Sequence, residues 1–208
     1  MHSSIKQFAT LITLLSCGVS HAQQPPRIAS HCKDGEFAYL NANMSELHYP
    51  QYQTKEERAT KPVWILRKTG KILSICADRA NEPVTSLAYR FGAIGKVELE
   101  NVAKKSSPFY VFSRGGTPHS GDAVLFFTIG QYVYCVSEAT GQGSGISLTV
   151  LTGGREVVSL FSGDDRDTDY ETRLIDLWFG PSRSPALREF PLSNEFQTPC
   201  DGKRLMRP

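Results

Sequence analysis

Short runs of β-branched and aromatic residues, separated by turns that contain glycine, recur about every 10 to 15 residues through the middle of the chain. Residues 96–100, KVELE, alternate charged and apolar side chains, as a strand with one face in water does. Residues 109–113 and 132–136 carry the aromatic and β-branched side chains that strands favour. The pattern predicts an all-β fold, a single antiparallel meander that forms a β-sandwich or a barrel-like body with few short helices.

Signals for other structure are few. Residues 45–58 include helix-forming residues, but Pro50 interrupts them, and residues 172–179 fit either a short helix or a final strand. Residues 68–71, KTGK, predict a turn between two strands. The five prolines of residues 181–208 exclude long regular structure, so this region is predicted to be an extended C-terminal strap.

The glycine-rich stretch at residues 141–145, GQGSG, could indicate a phosphate-binding loop or a nucleophile elbow. A phosphate loop requires a helix after its glycines, whereas residues 146–150 alternate as a strand does. An elbow requires glycine two residues before Ser144, and that residue is Gln142. The stretch therefore predicts a hairpin loop, in which glycine permits positive φ angles.

The N-terminus predicts export. Lys6 precedes an apolar run over residues 8–19, which is too short to span a bilayer, and the small residues Ser20 and Ala22 fit a signal-peptidase site. Residues 1–22 are therefore predicted to be a signal peptide, and residues 23–208 a single domain secreted or held in the periplasm. The alternative is a lipid anchor on Cys17, since residues 14–17, LLSC, are similar to a bacterial lipobox.

Four cysteines remain after residue 22, and an even number in an exported chain indicates two disulfides. Four cysteines allow three pairings, which the sequence does not distinguish. The preferred pairing is Cys32–Cys76 and Cys135–Cys200, because each bond would tie a terminal segment to a central strand.

Charge and hydropathy restrict the partners. Removing residues 1–22 removes Lys6 and no acidic residue, so the formal charge falls from +2 to +1. A nearly neutral chain without a basic run does not predict nucleic-acid binding. No other segment has the ~20 apolar residues that a transmembrane helix requires. No cofactor motif is present, so no cofactor is expected.

The densest acidic cluster lies in residues 164–176 and spaces its carboxylates as some calcium loops do. The candidate ligands are Asp165, Asp167, Asp169 and Asp176. Position 6 of such a loop is Tyr170 instead of the usual glycine, so a solvated acidic turn is favoured over a metal site.

Catalytic candidates are weak. Glu98, Glu100 and Glu138 could supply paired carboxylates for glycoside cleavage, but charged residues are common on the solvent face of a strand. His119 with Asp122 is the best acid–base pair, yet residues 115–122 form a glycine- and proline-containing turn where an exposed histidine is ordinary. No catalysis is therefore expected.

Tyrosines offer a binding surface, because each has an apolar body and a polar tip. Aromatic residues at i and i+2 share one face of a strand, so they fit a core ladder or an exposed recognition face. In the second interpretation the binding residues are Tyr49, Tyr52, Tyr110, Tyr132 and Tyr134.

The stretches ICADR, LAYRFGAIGKVELE, FSRGG, FFTIGQYVYCV and GSGIS, within residues 75–150, resemble a family of small exported proteins of Gram-negative bacteria. That family has a YRFG-x-x-GKVELE core. The resemblance implies export, and it carries no activity and no site residues.

Three hypotheses follow. The first is an exported binding or inhibitor module whose partner is a protein of the cell envelope, such as an envelope-acting enzyme or a toxin. The second is an envelope hydrolase that uses His119 and Asp122. The third is a calcium-binding β-domain that uses residues 165–176.

Overall fold

The structure is a computed structural model that describes residues 28–51, 54–61, 64–81, 83–115, 120–141, 144–166, 168–178, 184–191 and 198–200. It contains eleven strands and two short helices in these parts of the chain. The strands are β1 (Phe37–His48), β2 (Ile65–Ala77), β3 (Leu87–Ala93), β4 (Lys96–Ala103), β5 (Phe109–Gly115), β6 (Ser120–Ile129), β7 (Tyr132–Gly141), β8 (Gly145–Thr152), β9 (Arg155–Phe161), β10 (Tyr170–Thr172) and β11 (Leu187–Glu189). The helices are α1 (Lys55–Thr60), between β1 and β2, and α2 (Leu174–Trp178), between β10 and β11. The predicted all-β class is confirmed.

All eleven strands belong to one sheet, whose order is β11-β5-β6-β7-β8-β9-β1-β2-β3-β4, with β10 paired beside β1. Strands β1–β4 form one antiparallel run and strands β5–β9 another, and β9 joins the two runs by pairing with β1. The parallel pair is β11 with β5. Short turns join β3 to β4, β6 to β7 and β8 to β9, and so short a connection allows only antiparallel pairing, whereas a longer segment that contains α1 joins β1 to β2.

The sheet curls so that its two runs face each other. The ring of Tyr89 on β3 lies 4.9 Å from that of Phe127 on β6 and 6.1 Å from that of Tyr134 on β7. These strands are far apart in the sheet order, so their contact forms the interior of a sandwich. A second cluster on the outer face of β5–β8 is centred on Phe112, Val124 and Phe126.

The two terminal segments cover the outer faces of the sheet. Residues 28–36 lie over β2 and β3, where His31 bonds to Ser74 and Gly92. The C-terminal strap places Phe190 and Cys200 against the outer cluster. Both predicted disulfides are present, since Cys32 is bonded to Cys76 and Cys135 to Cys200. Such bonds are typical of proteins that fold in an oxidising, extracellular-type environment.

The antiparallel pairing gives the sheet two distinct ends. The β3–β4, β6–β7 and β8–β9 turns lie at one end with the last residues of β1, and we call this the cleft end. Helix α2 lies at the other end, the α2 end, where Leu174 and Leu177 join the interior. Neither helix in the described part of the chain is long or apolar enough to cross a membrane.

Most local predictions agree with the structure, with one exception. Residues 141–145 connect β7 to β8 in an antiparallel hairpin, as predicted, and residues 174–178 form α2, which is the helical alternative for residues 172–179. The predicted turn at residues 68–71 is wrong, because β2 continues through them. Thr69 and Gly70 instead form a bulge, and Met44 pairs with Lys71 while the next residue, Ser45, pairs with Lys68. The predicted signal peptide and Cys17 lie outside the described residues.

Candidate functional site

A cleft of about 450 Å³ opens at the cleft end of the sheet, between β9 and the first half of β2. Its apolar wall consists of Phe91, Val158 and Leu160. Its polar lining consists of Glu46, Arg67, Lys68, Thr69 and Lys71. Strand register explains the assembly, because Leu160 lies opposite Glu46 and Glu46 lies opposite Arg67, which places residues of three strands side by side.

The cleft exists because β9 and β1 separate. Strand β9 pairs with β8 from Arg155 to Phe161, but it pairs with β1 only at Leu160 and Phe161. The bulge in β2 occurs at the same level of the sheet. Gly70 adopts a φ of 70°, which suits glycine, and the Thr69 hydroxyl donates to the carbonyl of Met44. The Thr69 oxygen also accepts a hydrogen bond from the backbone N–H of Lys71, so the bulge is fixed by its own side chain.

The charge of the cleft is mainly positive. Three cations line it against one carboxylate, that of Glu46. Lys71 bonds to Glu98 at 2.7 Å and lies 5.4 Å from the centre of the Phe91 ring. That hydrogen bond from Lys71 lowers the pKa of Glu98. Within the described residues, Arg67 and Lys68 make neither an ion pair nor a side-chain hydrogen bond, so their charges are available to an anion.

Large apolar residues are exposed on β2 and β9, and directly beside the ends of β1 and β2. Tyr49, which directly follows β1, is 59% exposed, and Val157 on β9 is 52% exposed. Trp64, Ile65 and Val158 are exposed as well. Trp64 lies 6.4 Å from Phe161 between ring centres, which places the start of β2 beside β9. We call these five residues the apolar patch: Tyr49, Trp64, Ile65, Val157 and Val158.

A buried hydroxyl lies on β3, the strand that supplies Phe91 to the cleft. Tyr89 precedes Phe91 by two residues on β3, so both side chains project from the same face. Its side chain is completely buried, and its hydroxyl makes no hydrogen bond within the described residues. Burial raises the pKa of Tyr89. An unsatisfied buried hydroxyl costs about 1–3 kcal/mol, so a hydrogen bond to the Tyr89 hydroxyl would stabilise the folded protein.

A charged network on the outer face has a structural role. Arg90 on β3 is only 2% exposed, and its guanidinium donates to both carboxylate oxygens of Glu36 and to Glu100 at 2.7 Å. These hydrogen bonds lower the pKa of Glu36 and of Glu100 and raise that of Arg90. Arg90 also donates to the carbonyl of His31, so the network holds residues 28–36 against the sheet.

A buried acid, Glu138, lies at the α2 end. Glu138 on β7 is 6% exposed, and its carboxylate accepts a hydrogen bond of 2.9 Å from the Thr172 hydroxyl on β10. Burial raises its pKa, and the charge of Arg166 opposes part of that effect. The Arg166 guanidinium donates a hydrogen bond to the backbone carbonyl of Thr172. Glu138 thereby connects β7 to the segment that closes this end.

The predicted tyrosines lie on different surfaces. Tyr134 is half-buried in the interior, stacked 5.2 Å from Phe127, and Tyr132 lies at the cleft end with 38% exposure. Tyr110 is stacked 5.2 Å from Phe126 in the outer cluster. Tyr49 belongs to the apolar patch. Tyr52 lies outside the described residues, so the structure brings only Tyr132 and Tyr49 to the cleft end as exposed side chains.

The predicted metal ligands are held within their own loop. The Asp165 carboxylate accepts from the N–H of Thr168, and the Asp169 carboxylate accepts from the N–H of Asp165. Asp176 on α2 bonds to Arg173 at 2.7 Å. Asp167 lies outside the described residues. The convergent donor group found in the described chain is Cys32, Glu36 and Cys76, and it offers no thiolate because its sulfurs form a disulfide.

Of the predicted acid–base pair, one residue belongs to the described part of the chain. Asp122 lies on β6 opposite Ala139, near the α2 end, whereas His119 lies outside the described residues.

Sequence reasoning missed the cleft residues. Lys68 and Lys71 lie in the predicted turn at residues 68–71, Arg67 directly precedes it, and the spacing of the three cations matches no motif. No local signal in β2 marks them, because the cleft also requires residues of β1, β3 and β9.

Comparisons of this chain with protein-family models, with curated proteins and with solved structures found no match in any of the three.

Proposed function

We propose that this chain is a non-catalytic binding module that works outside the cytoplasm, in the periplasm or beyond it, and whose partner is a protein of the cell envelope. An inhibitor of an envelope-acting enzyme or toxin is the form of such a module that we favour. The observation that carries the proposal is the apolar patch. Single exposed apolar residues are normal on protein surfaces, whereas five large ones on or beside three neighbouring strands, β9, β1 and β2, indicate an interaction site.

The backbone beside the patch adds support. Val157 and Val158 are neighbours in sequence and both are exposed, so both faces of this part of β9 are open to solvent. Residues 155–159 of β9 have no described strand partner on the side that faces β1. A protein partner could therefore cover apolar side chains and pair with backbone groups at one place.

The export part of the proposal rests on the two disulfides and on the sequence of residues 1–22. Disulfides persist where the surroundings are oxidising, as they are in the periplasm and outside the cell.

The test is photocrosslinking in cells that naturally make the protein. A photoreactive phenylalanine analogue replaces Val157 in one variant and Val102 on β4, which is also exposed, in a control variant. We expect a discrete protein adduct from position 157 and none from position 102. Adding Trp64→Ser should remove the adduct while the melting temperature shows that the protein remains folded. Identical products from both positions, or none from position 157, would contradict the proposal.

A further inference from the structure

The cleft has the size of a small-molecule site and two kinds of wall. Its volume of about 450 Å³ lies within the roughly 300–1,000 Å³ range of ligand pockets. One wall is apolar, with Phe91, Val158 and Leu160, and the other carries the cations of Arg67, Lys68 and Lys71. A ligand that fits both walls must itself have an apolar part and an anionic part.

The cations determine the sign of the ligand. Arg67 and Lys68 make no ion pair with a described residue, and Lys71 shares its charge with Glu98. Glu46 lies opposite Arg67 across β1 and β2, so it offsets one charge of the three. The remaining positive charge attracts an anion and disfavours a cation.

The apolar wall determines the rest of the ligand. A small inorganic anion would neutralise the cations but leave Val158 and Leu160 in water. A neutral hydrocarbon would cover those side chains but leave Arg67 and Lys68 without a counter-charge. A single alkyl chain that ends in an anionic group satisfies both walls, because burial of its methylenes and its charge pairing act together.

We infer that the cleft binds a single-chain anionic amphiphile, with its carboxylate or phosphate group at Arg67 and Lys68 and its alkyl chain against Phe91, Val158 and Leu160. This site goes beyond the protein partner proposed above and requires no partner for binding.

The test is calorimetric titration of the purified mature protein with four probes that share a ten-carbon chain, all below the concentration at which they form micelles. Decanoate and decyl phosphate carry anionic groups, decyltrimethylammonium carries a cationic group, and decyl maltoside is neutral. We expect saturable binding of one or both anionic probes, at least about tenfold tighter than that of the other two. The tighter of the two anionic probes identifies the head group.

Two variants locate the site. The double variant Arg67→Gln with Lys68→Gln should weaken binding of the anionic probe at least about tenfold. The control, Lys104→Gln with Lys105→Gln, removes the same charge from exposed residues near the α2 end and should leave the affinity unchanged. Each methylene removed from the probe should weaken binding about threefold to fourfold.

Three results would overturn the inference. They are equal affinity for anionic and cationic probes, equal weakening by both double variants, and inorganic phosphate binding as tightly as decyl phosphate. Because this assay uses only the purified protein and the probes, its failure leaves the crosslinking result at position 157 to decide the protein partner separately.

Discussion

At the residue scale, the pKa values of three carboxyls shift in different directions, because their partners and their burial differ. The three are Glu36, Glu100 and Glu138. Arg90 satisfies Glu36 and Glu100, so these carboxyls favour the ionised form in the folded protein. Burial raises the pKa of Glu138, and the hydrogen bond from the Thr172 hydroxyl opposes only part of that effect. Burial without an adjacent bonded cation explains the difference.

A prediction at this scale concerns Glu138→Gln. The folded-state pKa of Glu138 lies above its ordinary value of 4.5, so its contribution to stability is present below pH 4.5 and is lost as the pH rises through the folded-state pKa. Glutamine stays neutral and its amide oxygen can still accept from Thr172. Between pH 4 and pH 8 we therefore expect the unfolding free energy of the variant to rise relative to that of the wild type.

Urea titrations at both pH values measure this difference. Glu156→Gln on the exposed part of β9 is the control and should follow the wild type at both values. If the Glu138→Gln and wild-type curves keep the same separation at both pH values, ionisation of Glu138 does not oppose folding.

At the element scale, a glycine allows two strands to approach closely where the register between them shifts. Gly92 on β3 lies opposite Val97, and the register between β3 and β4 shifts beside it. An added Cβ at Gly92 would lie 2.2 Å from the backbone oxygen of Lys96 and 2.7 Å from the N–H nitrogen of Glu98. Only glycine permits this close approach of two backbones.

The corresponding prediction compares two glycine variants of the same hairpin. Gly92→Ala must displace backbone, so we expect a loss of about 3 kcal/mol or more in unfolding free energy. Gly95→Ala meets nothing within 4 Å, but its φ of 76° disfavours alanine by about 1–2 kcal/mol. Chemical denaturation of both variants measures the difference. A larger loss for Gly95→Ala would show that the hairpin accommodates a side chain at position 92.

The sequence predicted the elements better than the site. Alternation in residues 96–100 and the glycine turns identified strands, because those signals are local. The cleft could not be predicted, because Leu160 meets Arg67 only through the β9–β1–β2 register. Thr69 and Gly70 also have the composition of a turn, and only their pairing partners show that they form a bulge. The sequence places Arg90 in a strand. Its burial could not be predicted, because its ion-pair partner Glu36 lies 54 residues earlier in the chain.

At the scale of the whole molecule, each disulfide attaches one terminal segment to the outer face of one antiparallel run. The bonds close sequence separations of 44 and 65 residues, and chain entropy assigns each about 4 kcal/mol of stabilisation. The Cys32–Cys76 bond acts next to the Arg90 network, whereas the Cys135–Cys200 bond covers the outer aromatic cluster.

We therefore predict that Cys32→Ser with Cys76→Ser, and Cys135→Ser with Cys200→Ser, each lower the unfolding free energy by about 4 kcal/mol. Denaturant midpoints without reductant measure both losses. Adding reductant should lower the unfolding free energy of the wild type more than that of either double variant, because the wild type has two bonds to open and each variant has one. A double variant that matches the wild type would show that its bond leaves stability unchanged.

The strand order ends in β4 on one side and β11 on the other, and neither has a second partner among the described strands. Such open edges can recruit strands from other molecules and begin fibrils. Here β4 carries Lys96, Glu98 and Glu100, and β11 is only three residues long. Charge on one edge and the shortness of the other both oppose edge-to-edge pairing between copies of the protein at these two strands.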